Sequence, residues 1–190
     1  MTSKQNILSE IRKHGRQPVD MPSFESLSPV IYENPMEQFV VTVPQVGGRV
    51  ALFEEGSDIN TFIRSFYPEA SVIASSLPNV EASLNPDTVA DARELNGTDV
   101  GVVKGEVAVA ENGCVWVPQT MKERAVLFIS ECLVIIVDRK DIVNNMHEAY
   151  SRIDNPGYGC FISGPSKTAD IAQALVMGAQ AAREVLYVIV

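Results

Sequence analysis

Five consecutive apolar residues, Leu133–Val137, constrain the fold of this chain more than any other segment. A strand with one solvated face alternates apolar and polar residues, whereas a strand covered on both faces is apolar throughout. Strands of the second kind belong to parallel sheets whose faces are covered by helices. Because strand-like and helix-like segments alternate on both sides of this run, the sequence predicts an α/β domain. We expect a mainly parallel sheet flanked by helices, with a short β-hairpin region in between.

The segments around this run can be assigned from their periodicity and their turn residues. Helices are predicted at residues 1–15, 35–46, 57–66, 122–128, 141–151 and 166–177. Strands are predicted at residues 49–54, 70–74, 100–104, 107–110, 114–117, 133–137, 160–163 and 184–190. Four prolines between residues 16 and 35 exclude a regular element there. We therefore expect an N-terminal helix and proline-rich arm at 1–35 and a single α/β domain at 36–190.

The acidic charge of the chain limits its partners. Fifteen lysine and arginine residues stand against 24 aspartate and glutamate residues, which gives a net charge of −9. A nucleic-acid surface needs clustered positive charge, and the sequence has no Lys/Arg cluster, so we predict no nucleic-acid partner. No apolar run approaches the roughly 20 residues of a membrane-spanning helix. Because Met1–Arg12 is polar and does not resemble a secretion signal, we expect a cytoplasmic protein without membrane insertion.

The metal-binding residue types are scattered along the sequence. Cys114, Cys132 and Cys160 are isolated in apolar segments and form no C-x-x-C motif. His14 and His147 have no cysteine or carboxylate partner at ligand spacing. We therefore predict reduced thiols, no metal site and no cofactor bound by this chain.

The segment Ser163–Asp170 joins a predicted strand to a predicted helix and reads Ser-Gly-Pro-Ser-Lys-Thr-Ala-Asp. The first N–H groups of a helix have no internal partner, and the helix dipole makes that end positive. Small and hydroxyl side chains there favour the approach of an anion. The candidate anion-binding residues are Ser163, Gly164, Ser166, Lys167 and Thr168, with Asp170 as an accessory residue. The alternative is an ordinary helix cap in which Asp170 complements the dipole.

A second candidate site surrounds Glu111. Asn112-Gly113 between two Val-rich segments predicts a hairpin with a type I′ turn. Glu111 then either flanks the turn or serves as a catalytic nucleophile or base at the mouth of the sheet. Ligands of open α/β sheets bind at the carboxyl ends of the strands, so we expect Lys104 and the Ser163–Asp170 loop to converge on one crevice. Lys104, Asn112 and Gly113 are therefore accessory candidates.

These two segments resemble a known family. Residues Ile162–Ile171 resemble the S-G-P-S-x-T-A-D-I signature of the lactate-utilisation protein C family, whose domain is called the LUD domain. Val107–Gly113 is similar to the A-x-A-E-x-G segment of that family. The resemblance covers residues 100–190 well, and upstream of them it depends on the order of the elements.

The resemblance implies a fold like that of ribose-5-phosphate isomerase, glucosamine-6-phosphate deaminase and the CoA transferases. It also implies a role in oxidising L-lactate to pyruvate beside iron–sulfur partner proteins that carry the redox chemistry. The triplet Glu111-Asn112-Gly113 is similar to the E-N-G of CoA transferases, in which the glutamate is the acyl-accepting nucleophile. The chain departs from the family at Gly178–Ala182, which reads Gly-Ala-Gln-Ala-Ala where the family carries G-x-H-G-P. Gln180 forms hydrogen bonds but does not act as a base near neutral pH.

Three functions follow from these observations. The first is a non-redox component of a lactate-utilisation system that binds a small anionic metabolite (a phosphate, a CoA thioester or a carboxylate) at the strand-to-helix loop. The second is an enzyme of the isomerase or CoA-transferase type that uses Glu111. The third is a non-catalytic small-molecule sensor on the same scaffold.

Overall fold

The computed structural model describes residues 2–14, 20–21, 23, 28–54, 56–154, 157–169 and 175–190. Its helices are α1 (Ser3–Lys13), α2 (Pro35–Gln45), α3 (Ile59–Phe66), α4 (Val126–Ile129) and α5 (Met146–Arg152). Its strands are β1 (Arg49–Leu52), β2 (Ile73–Ala74), β3 (Val100–Lys104), β4 (Val107–Val109), β5 (Cys114–Pro118), β6 (Cys132–Val137), β7 (Ile142–Val143), β8 (Gly159–Ile162), β9 (Lys167–Ala169), β10 (Leu175–Met177) and β11 (Glu184–Ile189). Residues 28–34 of the arm form neither helix nor strand. The division into an arm and a domain stays a prediction.

The central sheet has the strand order β1-β11-β6-β3-β2, and every neighbouring pair is parallel. The apolar run lies in β6, the middle strand, which pairs with β11 on one side and β3 on the other. Both faces of β6 are buried. Leu133 packs in one cluster with Phe39 of α2. Val134 packs in another with Ile63 of α3, so helices cover the two faces and the α/β prediction is confirmed.

A second sheet, in the order β7-β4-β5-β8, covers the same face of the central sheet as α2. The predicted hairpin is present, since β4 and β5 are antiparallel and β8 lies antiparallel to β5. Val115 faces the main core. Trp116, Phe161 and Ala149 form a smaller cluster on the outer side, beneath α5. The outer face of this sheet is therefore covered by α5.

The predicted helix at 166–177 is wrong for residues 166–169 and 175–177, and residues 170–174 lie outside the described residues. Lys167–Ala169 and Leu175–Met177 are strands that pair antiparallel as a two-stranded ribbon, with Thr168 opposite Val176. The start of the ribbon is tied to the body of the protein, because the N–H of Ser166 donates to the carbonyl of Ala182 at 2.9 Å. The ligand-binding loop expected between a strand and a helix is therefore a loop between two strands.

Smaller differences from the sequence prediction concern element boundaries. The predicted helix at 141–151 begins only at Met146, because the side chain of Asn145 caps it by accepting from the N–H of Glu148 at 3.0 Å. The residues before it form the short strand β7 beside β4. The predicted strand at 70–74 is reduced to two residues in β2. Helix α1 has a Thr2 capping box, and none of its residues is buried.

Candidate functional site

The loop Ser163–Ser166 packs against β11 of the central sheet, where a buried tyrosine holds it. The hydroxyl of Tyr187 in β11 donates to the carbonyl of Ile162 at 2.9 Å. The same oxygen accepts the N–H of Gly164 at 2.8 Å. Tyr187 is fully buried, and burial raises the pKa of its hydroxyl, so the group stays protonated and can donate. One side chain therefore fixes both ends of the bend at Ser163.

Gly164 is required at its position for two reasons. Its φ of +68° lies in the left-handed region that favours glycine. A Cβ there would also overlap the carbonyl of Val46, in the turn between α2 and β1. The Lys167 ammonium donates to that same Val46 carbonyl. The α2–β1 turn and the Ser163–Lys167 segment are thus packed directly against each other.

The tip of the β4–β5 hairpin joins the same cluster. The Ser163 hydroxyl donates to the carbonyl of Asn112 at 2.9 Å, which links the two motifs that the sequence singled out. The connection is a four-residue loop rather than the expected type I′ turn, with the N–H of Gly113 bonded to the carbonyl of Val109 at 3.0 Å. Gly113 has a φ of +65° and packs on Val43 of α2. The hairpin tip and the Ser163–Lys167 segment therefore do converge.

Glu111 has a structural contact in this loop. Its carboxylate accepts the N–H of Met146, the first residue of α5, at 2.7 Å. Its own N–H donates to the carbonyl of Asn144 at 3.1 Å. These bonds join the hairpin loop to the start of α5 and support the interpretation of Glu111 as a structural residue. A catalytic role for Glu111 stays a prediction.

Lys104 lies elsewhere, and the expected convergence of Lys104 with the Ser163–Asp170 loop is wrong. Lys104 pairs with Ile136 at the carboxyl ends of β3 and β6, and its ammonium contacts Asp138 at 2.6 Å. Ser166 is bonded to Ala182, just before the amino end of β11. In a parallel sheet these ends are opposite edges, so the two groups are separated by the length of the strands. Asp170 lies outside the described residues.

Some of the predicted anion donors are hydrogen-bonded within the described part of the protein, and others are not. The Ser163 hydroxyl, the N–H groups of Gly164 and Ser166, and the Lys167 ammonium all donate within the protein. Ser166 and Thr168 are half-buried residues, and their hydroxyls have no hydrogen-bond partner among the described residues. An ammonium carries three donors, so Lys167 retains capacity for a ligand. Ser166, Lys167 and Thr168 are consequently the groups free to contact an anion.

A cavity of about 350 Å³ lies between the end of α4 and the loop that follows β10. Residues 178–181 line it, and the backbone of Ser166 is bonded to Gly178 and Ala182 on either side of Gln180. Its polar lining includes Gln180, Arg183 and Glu131, the last two in contact at 3.3 Å. Sequence reasoning noted Gln180 as a substitution but missed Arg183 and Tyr187. Neither stands in a local motif, and only the pairing of β11 brings them to the loop.

The remaining predicted features concern metals, thiols and membranes. No group of three or more His, Cys, Asp or Glu residues placed to hold a metal ion occurs in the described part of the chain. Cys114 and Cys132 are buried, Cys160 is half-buried, and burial raises the pKa of each thiol. Among the described helices, none has the length and apolar character needed to cross a membrane.

The fold and this cluster define an α/β domain in which a Ser-Gly-Pro-Ser loop is fixed by a buried tyrosine of the central sheet. A family model described as the LUD domain matches residues 36–190, so the chain belongs to the LUD domain family. This match confirms the family that the sequence motifs indicated.

Individual relatives agree with this assignment, and a solved structure shares the fold. Lactate utilization protein C of Shouchella clausii is 28% identical over 121 residues, which are 60% of this chain and 53% of that protein. Lactate utilization protein C 1 of Bacillus mycoides is 30% identical over 113 residues, which are 55% of this chain and 48% of that protein. The chain thus matches about half the length of these curated relatives. The crystal structure of a DUF162 family protein from Deinococcus radiodurans has the same fold, with a TM-score of 0.60 at 15% identity over 82% of this chain and 95% of that one.

Proposed function

We propose that the protein is a non-redox component of a lactate-utilisation system and that it binds a small anionic metabolite at the Ser163–Thr168 segment. The lactate-utilisation part is supported by the LUD domain match and by the relatives named lactate utilization protein C. The ligand-binding part is supported by the geometry of the loop. The observation that carries it is the pair of half-buried residues, Ser166 and Thr168, whose hydroxyls have no partners among the described residues.

The physical argument starts from the rigidity of the loop. Bonds from Ser163, Gly164 and Lys167 to three different elements fix the backbone before any ligand arrives. A preorganised loop loses little conformational entropy on binding, so its hydroxyls contribute most of their hydrogen-bond energy to affinity. The Lys167 ammonium gives the segment local positive charge in an otherwise acidic chain, whereas the charge of the neighbouring Arg183 is paired with Glu131. A phosphate, a carboxylate or the phosphates of a CoA thioester match these donors.

Partner proteins are the second element of this proposal. The family resemblance assigns the redox step to iron–sulfur proteins of the same system. The β9–β10 ribbon carries three consecutive exposed apolar side chains, Leu175, Val176 and Met177, with 64%, 46% and 39% of their surfaces accessible. Co-purification of tagged protein with iron–sulfur proteins from its native host tests this element. The variant Val176→Lys is expected to lower the recovered iron, whereas Val41→Lys, at an exposed apolar residue of α2, serves as the control.

The ligand is tested by thermal unfolding against lactate, pyruvate, sugar phosphates, nucleotides, CoA and acyl-CoAs. A ligand at about 100 times its Kd adds roughly 2.7 kcal/mol of stability, which raises the Tm by several degrees. We expect this shift to be lost in the double variant Ser166→Ala/Thr168→Ala. It should be kept in Ser71→Ala, which removes an exposed hydroxyl at a distant surface position. A shift that survives in the double variant would place the ligand elsewhere, and no shift with any compound would contradict ligand binding at this segment.

A further inference from the structure

A second cavity, of about 360 Å³, opens at the edge of the central sheet opposite to the Ser163–Thr168 segment. It lies at the carboxyl ends of β1, β11, β6 and β3, where those strands leave the sheet. Its apolar lining consists of Phe53, Ile59, Leu77, Ile136 and Val190. Ligands of open α/β sheets bind outside the carboxyl ends of the strands. The cavity therefore occupies the position at which this architecture normally accommodates a small molecule.

The walls of this cavity are held by hydrogen bonds of the backbone and of buried side chains. The N–H of Phe53 donates to Ile189 at 2.9 Å, and the N–H of Val190 donates to Val137 at 3.0 Å. On the opposite side, the buried hydroxyl of Ser75 accepts the N–H of Leu77 at 3.1 Å. Phe53 is further oriented by an edge-on ring contact with Phe62 of α3 at 5.3 Å between centroids. The apolar surface is thus preformed rather than a gap between loose side chains.

Lys104 places one positive charge at the rim of this apolar surface. Its ammonium contacts Asp138 at 2.6 Å, and each side chain keeps more than a third of its surface exposed. Asp138 is its hydrogen-bond partner among the described residues, and this contact uses one of the three ammonium donors. Asn79, with an exposed side-chain amide, stands on the rim as well. The combination of an apolar floor and a few converging polar groups is the usual composition of a small-molecule site.

We propose that this cavity binds a small monocarboxylate whose apolar body lies on Phe53, Ile59 and Ile136 and whose carboxylate is held by Lys104. A single negative charge fits better than a phosphate dianion, because Lys104 and Asp138 together are neutral and Asp138 repels each added negative charge. The apolar lining disfavours a small hydrophilic anion, since such a ligand leaves the floor of the cavity without contacts. This site is independent of the proposed function at the Ser163–Thr168 segment.

The proposal is tested by isothermal titration calorimetry of the intact chain with three ligands. They are hexanoate, its neutral isostere hexanamide and inorganic phosphate. We expect hexanoate to bind roughly tenfold more tightly than hexanamide, the difference that one charge-assisted hydrogen bond makes. We expect phosphate to bind more weakly than hexanoate. Lys104→Met should lower the affinity for hexanoate roughly tenfold and leave the affinity for hexanamide unchanged. Lys13→Met, at an exposed lysine of α1, is the matched control and should change neither.

Asp138→Asn is expected to change the affinity for hexanoate in the opposite direction to Lys104→Met. It removes the negative charge that repels the carboxylate and keeps an acceptor oxygen for Lys104, so hexanoate should bind more tightly than to the wild type. A merely structural Lys104–Asp138 pair would instead make both variants weaker or leave both unchanged, which would overturn the proposal. Equal affinity of wild type and Lys104→Met for hexanoate, or absence of hexanoate binding to both wild type and Asp138→Asn, would overturn it as well.

Two measurements keep the result clear if a variant folds poorly or if the ligand binds at the other site. Selectively labelled isoleucine methyl groups of the wild-type protein should shift on hexanoate addition at Ile59 and Ile136 and stay constant at Ile7, an exposed residue of α1. Ser166→Ala/Thr168→Ala should bind hexanoate like the wild type. Loss of hexanoate binding in that double variant, with retention in Lys104→Met, would place the carboxylate at the Ser163–Thr168 segment and refute this site while supporting the proposed function.

Discussion

The hydroxyl of Tyr187 and the backbone N–H of Gly164 are hydrogen-bonded at 2.8 Å in the interior of the protein. The same hydroxyl donates to the carbonyl of Ile162, so the tyrosine satisfies a backbone donor and a backbone acceptor on either side of Ser163. An edge-on ring contact with Phe39 of α2, with centroids 5.6 Å apart, fixes the orientation of the ring. The Ser-Gly-Pro-Ser loop is therefore fixed by β11 of the central sheet.

Tyr187→Phe is expected to lower the free energy of unfolding by about 2–3 kcal/mol, because two buried backbone groups lose their partner. The ring itself still fills its site, so the effect reports the hydroxyl alone. Urea denaturation followed by circular dichroism measures it. Tyr150→Phe is the matched control, since Tyr150 has 66% of its surface exposed, and it should change stability by less than about 0.5 kcal/mol. Equal stability of Tyr187→Phe and wild type would show that the loop is held by other contacts.

Gly164→Ala tests the close approach of the loop to the α2–β1 turn. Gly97 is a matched control because its φ is +83° and a Cβ there would meet nothing within 4 Å. Gly97→Ala should cost about 1 kcal/mol, the usual conformational penalty at positive φ. Gly164→Ala should cost at least about 2 kcal/mol more, because its Cβ also displaces the Val46 carbonyl. Similar losses of stability in the two variants would mean that the turn moves away without cost.

Glu111 is expected to contribute to the stability of the protein by capping the start of α5. Glu111→Ala removes the acceptor of the Met146 N–H and should cost about 1 kcal/mol, the usual value of a capping interaction. Glu111→Gln keeps an acceptor oxygen and should be close to the wild type in urea denaturation. Glu106→Ala, at an exposed position before the same hairpin, is the control. A turnover that is lost in Glu111→Gln while ligand affinity is retained would favour the isomerase or CoA-transferase alternative.

Alkaline pH should destabilise the protein partly through Cys114. Burial raises the pKa of this thiol to about 12 in the folded protein, whereas a free cysteine has a pKa near 8.5. The folded state therefore holds this proton more tightly, and its contribution to stability is complete below about pH 8.5 and is lost as the pH rises towards 12. Between pH 9 and 11, the stability of the wild type relative to Cys114→Ala should fall by roughly 1 kcal/mol per pH unit. A constant difference between the two proteins across this range, in urea denaturation, would contradict this expectation.

Much of the fold could be predicted from local sequence. The run Leu133–Val137 forms the middle strand of the sheet, because only a position covered on both faces accommodates five apolar residues in sequence. The hairpin was visible from Asn112-Gly113, although its loop is longer than a two-residue turn. Capping residues also placed α3 well, since the Asp58 side chain accepts the N–H of Thr61 at 2.7 Å. These features depend on neighbours in sequence, which are visible before folding.

The candidate site was less predictable because tertiary contacts decide it. After Thr168 the sequence is rich in alanine, glutamine and leucine, residues of high helix propensity, and yet Lys167–Ala169 pairs as a strand with Leu175–Met177. Propensity differences are small, so pairing and the bond from Ser166 to Ala182 outweigh them. The partnership of Ser163 with Asn112 spans 51 residues and has no local signal. Lys104 was assigned to the wrong edge because the sequence does not show at which end of the sheet a loop lies.

The position of β11 has a consequence for the order in which the molecule assembles. It is the last of the described strands in the sequence, but it lies between β1 and β6 in the central sheet. During synthesis, β1 emerges more than 130 residues before the strand with which it pairs, and proteins generally fold from the N-terminus as they emerge. The edge of β1 therefore stays unpaired until β11 has been synthesised. The Ser-Gly-Pro-Ser loop likewise takes its final shape only after Tyr187 has been synthesised. Ribosome-bound chains stalled before residue 184 should accordingly lack the strand between β1 and β6 and expose the unpaired edges of both. Chaperone binding would protect the nascent protein in this state.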